Sequence, residues 1–202
     1  MCTRAALANA LASYMAAAGA AAIRLFGREW PRASFPRMIV FDVDYTLWPY
    51  WVDTHTRPPY SGSGGKVIDG SRETIRLFPE TESVLSSLRQ VPELQIAYAS
   101  RTGQPKWLEQ LAKLLPIDGY EGSMWDLPDY REIYPGSKLK HFRRLSEQSG
   151  IPCDQMLFFD DEPYSNMEVT QLGVEFVDAE GGITEKMCIA GLEAFAAARE
   201  NS

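Results

Sequence analysis

The sequence predicts an α/β domain in which helices cover both faces of a parallel sheet. From residue 37 onward, short apolar runs alternate with longer segments of helical spacing, a pattern typical of parallel sheets. Polar residues follow the ends of several apolar runs, where open sheets of this kind bind ligands. A chain of 202 residues, 45% of them hydrophobic, is long enough for one domain with a full core.

The predicted elements follow one another along the chain. Strands are expected at 37–43 (RMIVFDV), 94–100 (LQIAYAS), 155–161 (QMLFFDD) and 174–179 (VEFVDA). Helices are expected at 79–90, 104–115, 136–150, 163–173 and 184–200. Pro79 with acids in the following turn marks one helix start, and Pro116 and Gly150 mark two helix ends.

Residues 1–36 differ in composition from the rest of the chain. They are rich in Ala, carry four Arg and contain a single acid, Glu29. Apolar residues between Leu7 and Leu25 recur at roughly helical spacing. We consider three interpretations: a removable targeting segment, an additional N-terminal helix, or a secretory or membrane segment. The last is the least favoured, because Ala is weakly apolar and polar residues interrupt the run.

This division gives a leader over 1–36 and an α/β domain over 37–202. If the leader is a transit peptide, the protein is expected in a chloroplast or mitochondrion; otherwise it is expected in the cytoplasm. Cys2, Cys153 and Cys188 are scattered and fit a reducing compartment. The net charge of −7 argues against a nucleic-acid partner but leaves room for a local phosphate site.

Two carboxylates at the end of the first predicted strand, Asp42 and Asp44, are the first sign of function. At a period of two residues, both side chains point to the same side. Ser100 and Arg101 end the next strand, and Asp160 and Asp161 end a later one. Because carboxyl ends of parallel strands share one edge of the sheet, we expect these residues to converge.

These residue types suit phosphoryl transfer. Carboxylates from two strand ends can hold Mg²⁺, which takes one or two carboxylates together with substrate phosphate and water. Lys138, at the start of a helix after YPGS, would join Ser100 and Arg101 in binding phosphate oxygens. Asp42 would then attack phosphorus, and Asp44 would act as general acid and base. Each motif alone is weak evidence, since Asp and Ser at such positions often only cap helices.

Together the motifs resemble a known family. Asp42-Val-Asp44 with Thr46, then Ser100, Lys138 and Asp160-Asp161, resemble the four motifs of the haloacid dehalogenase (HAD) superfamily. The variants FDVDYTLWPYWVDTH, ASRT, REIYPGSKLKHF and FFDDE, spread over roughly residues 37–200, resemble the magnesium-dependent phosphatase-1 family. Most superfamily members have Gly after the second Asp, where this chain has Tyr45.

The resemblance implies a three-layer Rossmann-like (HAD-like) fold and a role for each motif residue. The implied roles are nucleophile for Asp42, acid/base for Asp44, phosphate ligands for Ser100, Arg101 and Lys138, substrate contact for Trp51, and Mg²⁺ binding by Asp42, the backbone carbonyl of Asp44, and Asp161. Alternation along a strand does not decide between Asp160 and Asp161 as metal ligand; the resemblance favours Asp161. The other carboxylate would orient Lys138 or a metal-bound water.

Substrate access follows from what the chain lacks. Superfamily members often insert a helical cap, but the residues between Asp44 and Pro79 are too few for one, and SGSGGKVIDG is typical of a small β flap. The segment 117–130 is either a small lid or partner surface, or a loop packed by its own aromatics. An open site suits a phosphotyrosine protein or a sugar phosphate. Both protein-tyrosine phosphatase and fructosamine-phosphate phosphatase activities are attributed to the resembled family.

Two other functions stay open at this point. A phosphotransferase would use the same covalent step but pass the phosphoryl group to an acceptor other than water. A non-catalytic phosphate-binding module would keep the pocket and perform no chemistry. His55 and His141, the only histidines, are expected in ordinary loop and helix-surface positions.

Overall fold

The predicted alternation of strands and helices is present in the computed structural model, which describes residues 22–63 and 66–200. The strands are β1 Ile23–Leu25, β2 Arg28–Trp30, β3 Met38–Phe41, β4 Ser61–Ser63, β5 Lys66–Ile68, β6 Thr74–Ile75, β7 Gln95–Ser100, β8 Tyr130–Ile133, β9 Met156–Asp160 and β10 Glu175–Asp178. The helices are α1 Val52–His55, α2 Thr81–Arg89, α3 Pro105–Ala112, α4 Lys138–Ser149, α5 Pro163–Asn166 and α6 Glu185–Glu200. Short 3₁₀ turns lie at Arg32–Ser34, Cys153–Gln155 and Met167–Leu172.

Five parallel strands form the central sheet, in the order β10–β9–β3–β7–β8. The chain moves outward from β3 to β7 and β8, and then returns to β9 on the other side of β3. The winding therefore reverses at β3, and the crevice for a ligand lies at its carboxyl end. This architecture confirms the predicted fold class.

Alternate residues of the strands supply two separate cores. Ile39 and Phe41 of β3 join the larger core, which includes α2, α3 and α6, whereas Met38 and Val40 join a smaller core under α4. The same alternation holds in β7 and β9. This parity decides which side of the sheet each strand-end residue faces.

One strand of the central sheet, β8 at its edge, was not predicted from the sequence. β8, with the sequence YREI, pairs with β7 in the register Ala97↔Tyr130 to Ser100↔Ile133. As an edge strand it buries only Glu132, so its charged sequence hides it from a search for apolar runs. The segment ahead of it packs as a loop, with Met124 and Leu127 buried in the core.

Helix ends also differ from expectation by up to three residues, and the helix expected over 163–173 is the short α5 followed by a 3₁₀ turn. In the N-terminal region, the helical spacing expected to reach Leu25 does not continue. Ile23–Leu25 and Arg28–Trp30 instead pair as an antiparallel hairpin. Ile23, Trp30 and Phe35 belong to the larger core. The rest of the proposed leader, residues 1–21, lies outside the described residues.

The segment after β3 carries the expected flap rather than a helical cap. β4, β5 and β6 form a small antiparallel sheet. The Asp69 carboxylate accepts backbone N–H groups of Arg57, Ser71 and Glu73, which fixes the base of the flap. Within the described ranges, the helices are too short or too polar for any of them to span a bilayer.

Candidate active site

The two carboxylates of the DVD motif lie at the carboxyl end of β3. The Asp42 N–H donates to the carbonyl of Phe159 at 2.9 Å, which extends the β3–β9 pairing by one residue. By parity Asp42 continues the row of Met38 and Val40, so its side chain faces the α4 side of the sheet. The side chain of Asp44 accepts Nε1–H of Trp48 at 2.8 Å and N–H of Val52 at 3.2 Å. Both carboxyl groups are almost fully buried.

The ammonium group of Lys138 forms the centre of the site. Its Nζ lies 2.6 Å from Oδ1 of Asp42 and 3.1 Å from Oδ2 of Asp160, and it also donates to the carbonyl of Ala99. It further lies 5.0 Å from the centre of the Phe158 ring. Lys138 and Asp160 are buried from solvent, so this cation is shared by two carboxylates from neighbouring strands.

The turn before α4 delivers Lys138 to this position. Oγ of Ser137 accepts N–H of Leu139 at 3.1 Å and caps the helix. Gly136 has φ of 151°, a conformation that favours residues without a side chain. Lys138 is thereby the first residue of α4 and points from the helix start toward β3.

Asp160 and Asp161 have different surroundings. Asp160 has the same parity as Phe158 and faces α4, where it contacts Lys138 and accepts two hydrogen bonds from Nδ2 of Asn166 and one from N–H of Glu162. Asp161 instead lines the pocket, and its Oδ1 accepts Oγ1–H of Thr46 at 3.3 Å. The sheet parity thus separates the two neighbours that the sequence left undecided.

The end of β7 provides the polar groups expected for phosphate. Ser100 is buried, and its Oγ accepts N–H of Thr102 at 3.3 Å. The Arg101 guanidinium donates to Oδ1 of Asn166 at 2.8 Å. Asn166 thereby joins Arg101 to Asp160 and limits the freedom of the guanidinium.

The expected residues surround one pocket of about 190 Å³. Its lining comprises Asp42, Asp44, Trp51, Asp53, Ser100, Arg101, Thr102, Asp161, Glu162 and Asn166. Lys138 and Asp160 lie behind Asp42 rather than in the lining. All the site residues predicted from sequence except Lys138 and Asp160 therefore line this pocket, and these two form a buried ion cluster with Asp42.

Aromatic residues form one side of the pocket mouth. Trp51 is 45% exposed, stacks on His55 with ring centres 5.5 Å apart, and meets Tyr45 edge-on at 5.3 Å. Tyr45 has φ of 56°, in the left-handed region. This conformation explains why Gly suits the same position in the resembled superfamily.

Burial sets the charge states of the site. Burial raises the pKa of Asp44 to about 7, although the hydrogen bonds from Trp48 and Val52 oppose this rise. Burial, with a smaller effect from Asp160, raises the pKa of Asp161 to about 6. Burial also raises the pKa of Asp42, and the Lys138 ammonium offsets part of that rise. For Lys138 burial alone would lower the pKa, but the two carboxylates raise it above its ordinary value.

The oxygen ligands of the pocket suit Mg²⁺ chemically, but the side chains alone do not surround an ion. Among the described residues, no group of three or more His, Cys, Asp or Glu side chains is placed to hold a metal ion by itself. Asp42 and Asp161 nevertheless supply hard oxygen ligands from two strand ends to one pocket. Mg²⁺ usually needs only one or two carboxylates, because water, backbone carbonyls and substrate phosphate complete its octahedron.

Three residues of the site were missed as contributors by sequence reasoning. Asn166 holds both Asp160 and Arg101. Asp53 lines the pocket and accepts N–H of Gly103 at 3.1 Å, which links α1 to the loop after β7. Glu162 lines the mouth. Glu162 directly follows Asp160 and Asp161 in the FFDDE motif, which is a signal for its position, but nothing in a single sequence distinguishes Asn166 or Asp53 from solvated surface residues.

Solved structures share this fold. The N-terminal phosphatase domain of a Bacteroides fragilis protein complexed with Mg superposes with a TM-score of 0.54 at 16% identity, over 80% of this chain and 41% of the other. A HAD family enzyme from Bacteroides thetaiotaomicron, in complex with magnesium and inorganic phosphate, gives 0.53 at 11% identity over 75% of this chain and 98% of the other. These similarities show that the chain has the HAD-like fold.

Sequence relatives narrow the class. The family model described as Acid Phosphatase matches residues 34–198. Human magnesium-dependent phosphatase 1 is 42% identical over 168 residues, which are 83% of this chain and 91% of the human protein. A HAD-like hydrolase superfamily protein of Schizosaccharomyces pombe is 40% identical over 71% of this chain and 86% of its own length. The chain belongs to the magnesium-dependent phosphatase family of the HAD superfamily, as its motifs predicted.

Proposed function

We propose that this magnesium-dependent phosphatase hydrolyses phosphate monoesters through an aspartyl-phosphate on Asp42. The observation that supports it most is the distance of 2.6 Å between Nζ of Lys138 and Oδ1 of Asp42, within a pocket that also contains Asp44, Ser100 and Arg101. The carboxylate, the hydroxyl and the guanidinium that would contact a phosphate thus line the same pocket. Bound Mg²⁺ would supply charge neutralisation on the phosphoryl oxygens, with Asp42 and Asp161 as its carboxylate ligands.

In the first step an oxygen of Asp42 attacks phosphorus, and the bond from phosphorus to the leaving oxygen breaks. Lys138 holds Oδ1, and no hydrogen bond in the described part of the chain engages Oδ2, which is thus available to attack. Asp44, with a pKa of about 7, is protonated in about half of the molecules at neutral pH, and this protonated form gives its proton to the leaving oxygen. Ser100 and Arg101 hold the phosphoryl oxygens during transfer.

In the second step Asp44, now a carboxylate, takes a proton from water as that water attacks phosphorus. The bond between phosphorus and Asp42 breaks, which releases inorganic phosphate and restores both carboxyl groups to their starting states. The hydrogen bonds from Trp48 and Val52 keep Asp44 in one orientation for both proton transfers.

Acid quenching during turnover tests the covalent step. Tandem mass spectrometry of wild-type enzyme quenched with p-nitrophenyl phosphate and Mg²⁺ should find one phosphoryl group on Asp42. Asp42→Asn should show no modification and no turnover, while Glu147→Gln, an exposed change on α4, should behave as wild type. Turnover by Asp42→Asn at the wild-type rate would reject the covalent route.

For the substrate, we propose an amine-bearing sugar phosphate of the fructosamine type ahead of an acidic phosphotyrosine peptide. A volume of about 190 Å³ accommodates the phosphoryl group and its immediate neighbours, so the rest of the substrate lies at the open mouth. Asp53 and Glu162 give this mouth negative charge beside the exposed ring of Trp51. A protonated amine is attracted to carboxylates and to the face of an indole ring, whereas acidic peptide side chains are repelled.

A matched pair of substrates tests this preference. We expect kcat/KM for a fructosamine phosphate to exceed that for the same ketose phosphate without the amine, and phosphotyrosine peptides with Lys neighbours to exceed those with Glu neighbours. Asp53→Asn should reduce the amine preference by roughly 2- to 5-fold, the effect of one exposed charge. Glu147→Gln is again the control. Equal kcat/KM values for both members of each pair would refute charge selection at the mouth but leave the covalent step intact.

A further inference from the structure

We propose that His141 is a positioning residue that sets the place of Lys138 by holding the turn from Tyr134 to Lys138. The His141 ring is fully buried, and both of its nitrogens lie against backbone carbonyls of this turn. Nδ1 is 2.9 Å from O of Ser137, and Nε2 is 3.0 Å from O of Tyr134. The turn carries the only cation that contacts Asp42 in the part of the chain that the structure describes.

The hydrogen-bonding roles of the His141 ring and the two carbonyls show that the ring N–H groups are used by the turn. A carbonyl oxygen can only accept a hydrogen bond, and a neutral imidazole has a single N–H, which can serve one of the two carbonyls at a time. The imidazolium form would serve both. In either form every N–H of His141 is used by the backbone of the turn, so the ring is not available to substrate as a proton donor. Its role is to hold the turn rather than to transfer protons.

The N–H of Tyr134 donates to the carbonyl of Ser100 at 3.0 Å and anchors the strand end of the turn, but the middle of the turn has little support of its own. Gly136 adopts φ of 151°, and a methyl group placed on it would meet no atom within 4 Å, so no packing fixes the turn at this residue. Glycine also has the largest backbone freedom to lose on folding. Ser137 caps α4 and donates to Oε1 of Glu168 at 2.6 Å, which anchors the helix side of the turn. His141 is the side chain that joins the two sides.

The His141 ring is itself held in place. It stacks on the Tyr134 ring with centres 4.3 Å apart and planes 14° apart. The hydroxyl of Tyr134 donates to Oε2 of Glu132 at 2.5 Å. Glu132 is buried and also accepts from Nε of Arg144 and Nε2 of Gln148. At spacings of three and four residues, His141, Arg144 and Gln148 lie on one face of α4 and fasten it to β8.

A small shift of the turn would matter for the reaction. Lys138 donates to Asp42, Asp160 and the carbonyl of Ala99 within one buried arrangement, which a displaced helix start cannot preserve. A misplacement of about 1 Å by a remote substitution can reduce a rate by about 100-fold. The inference rests on the role proposed above for Lys138.

Substitution of His141 tests the inference in the full-length protein. His141→Phe keeps an aromatic ring against Tyr134 but removes both ring nitrogens, and with them every hydrogen bond from the ring to the turn. With p-nitrophenyl phosphate and Mg²⁺ we expect kcat per folded molecule to fall by about 10- to 100-fold. The inhibition constant of inorganic phosphate should rise as well. His141→Gln, which can still donate N–H to a carbonyl, should recover part of both losses.

Leu145→Ala is the matched control. Leu145 is fully buried on the same helix, two turns beyond Lys138, and belongs to the apolar core beneath α4. It should lower stability without changing kcat of the folded enzyme by more than about twofold, because large-to-small core changes act mainly on folding. A folded His141→Phe enzyme with wild-type kcat would overturn the inference. So would equal losses in His141→Phe and His141→Gln.

Lys138→Met in the same assay separates this inference from the proposed function. If Lys138→Met retains wild-type activity, the proposed function fails and the positioning role fails with it. If Lys138→Met is inactive while folded His141→Phe is fully active, the function stands and only the positioning role is rejected.

Discussion

Replacement of Lys138 by Met should destabilise the metal-free protein strongly at neutral pH. The ammonium lies 2.6 Å from one carboxylate and 3.1 Å from another, with neither Lys138 nor Asp160 exposed. At an effective dielectric constant of about 20, each attraction is on the order of 5–6 kcal/mol, and desolvation of the three charges offsets much of the sum. Met has a similar stem but no charge, so Asp42 and Asp160 would remain buried without a cation. Breaking a buried pair in this way costs roughly 3–5 kcal/mol.

Urea unfolding in EDTA measures this loss. At pH 7.5 we expect the free energy of unfolding of Lys138→Met to be lower than that of wild type by roughly 3–5 kcal/mol. The gap should narrow as pH falls, because protonation removes the unpaired charges. Lys138→Met combined with Asp160→Asn should regain at least half of the loss. Arg143→Met, an exposed change on the same helix, should stay within about 0.5 kcal/mol of wild type.

A small effect of Lys138→Met on stability would contradict this account of the buried ion cluster. If Lys138→Met unfolds within about 1 kcal/mol of wild type at pH 7.5, the cation does not compensate buried charge, and the ion cluster behind Asp42 is not the electrostatic unit described above.

Three further predictions concern the pocket. In EDTA, the Asp44 carboxyl has a pKa of about 7 in the folded protein and its ordinary value of 3.8 in the unfolded chain, so its stabilising contribution is lost as pH rises through that window. Asn does not titrate, so the free energy of unfolding of Asp44→Asn, measured relative to wild type by urea unfolding, should increase by about 2–3 kcal/mol between pH 5 and pH 8. A difference that does not depend on pH would contradict this. Tyr45→Gly should change the free energy of unfolding by no more than about 1 kcal/mol, because relief of the left-handed backbone offsets loss of the edge-on contact with Trp51; Trp51→Gly, at a residue with negative φ, has no such relief and should destabilise the protein more. Asp161→Asn should raise the Mg²⁺ concentration for half-maximal activity by about 10- to 100-fold; an unchanged requirement in an activity titration would exclude it as a ligand.

Much of the fold could be predicted from sequence because its signals are local. Apolar runs such as 37–43 and 94–100 are buried on both faces and became adjacent parallel strands. The spacing of Asp42 and Asp44 correctly anticipated two carboxylates at one strand end. β8 escaped notice because an edge strand needs few apolar residues, and its pairing with β7 is a contact between distant parts of the chain.

The site was less accessible to sequence for a similar reason. Which of Asp160 and Asp161 meets Lys138 depends on the face that α4 covers, and that is a property of the assembled sheet. The contacts of Asn166 with Asp160 and Arg101 likewise join three segments at once. His141 was expected on a helix surface, yet it is fully buried, because α4 packs against the strand that the sequence did not reveal.

The N-terminal hairpin limits how far this protein can be shortened. Ile23, Leu25, Trp30 and Phe35 are buried in the same core as the central sheet. A polypeptide that begins at residue 37 would expose the apolar surface that those four side chains cover, and it should be prone to aggregation. Trimming that ends before Ile23 keeps these contacts. A shortened protein, whether expressed or produced by a peptidase, should therefore still include Ile23.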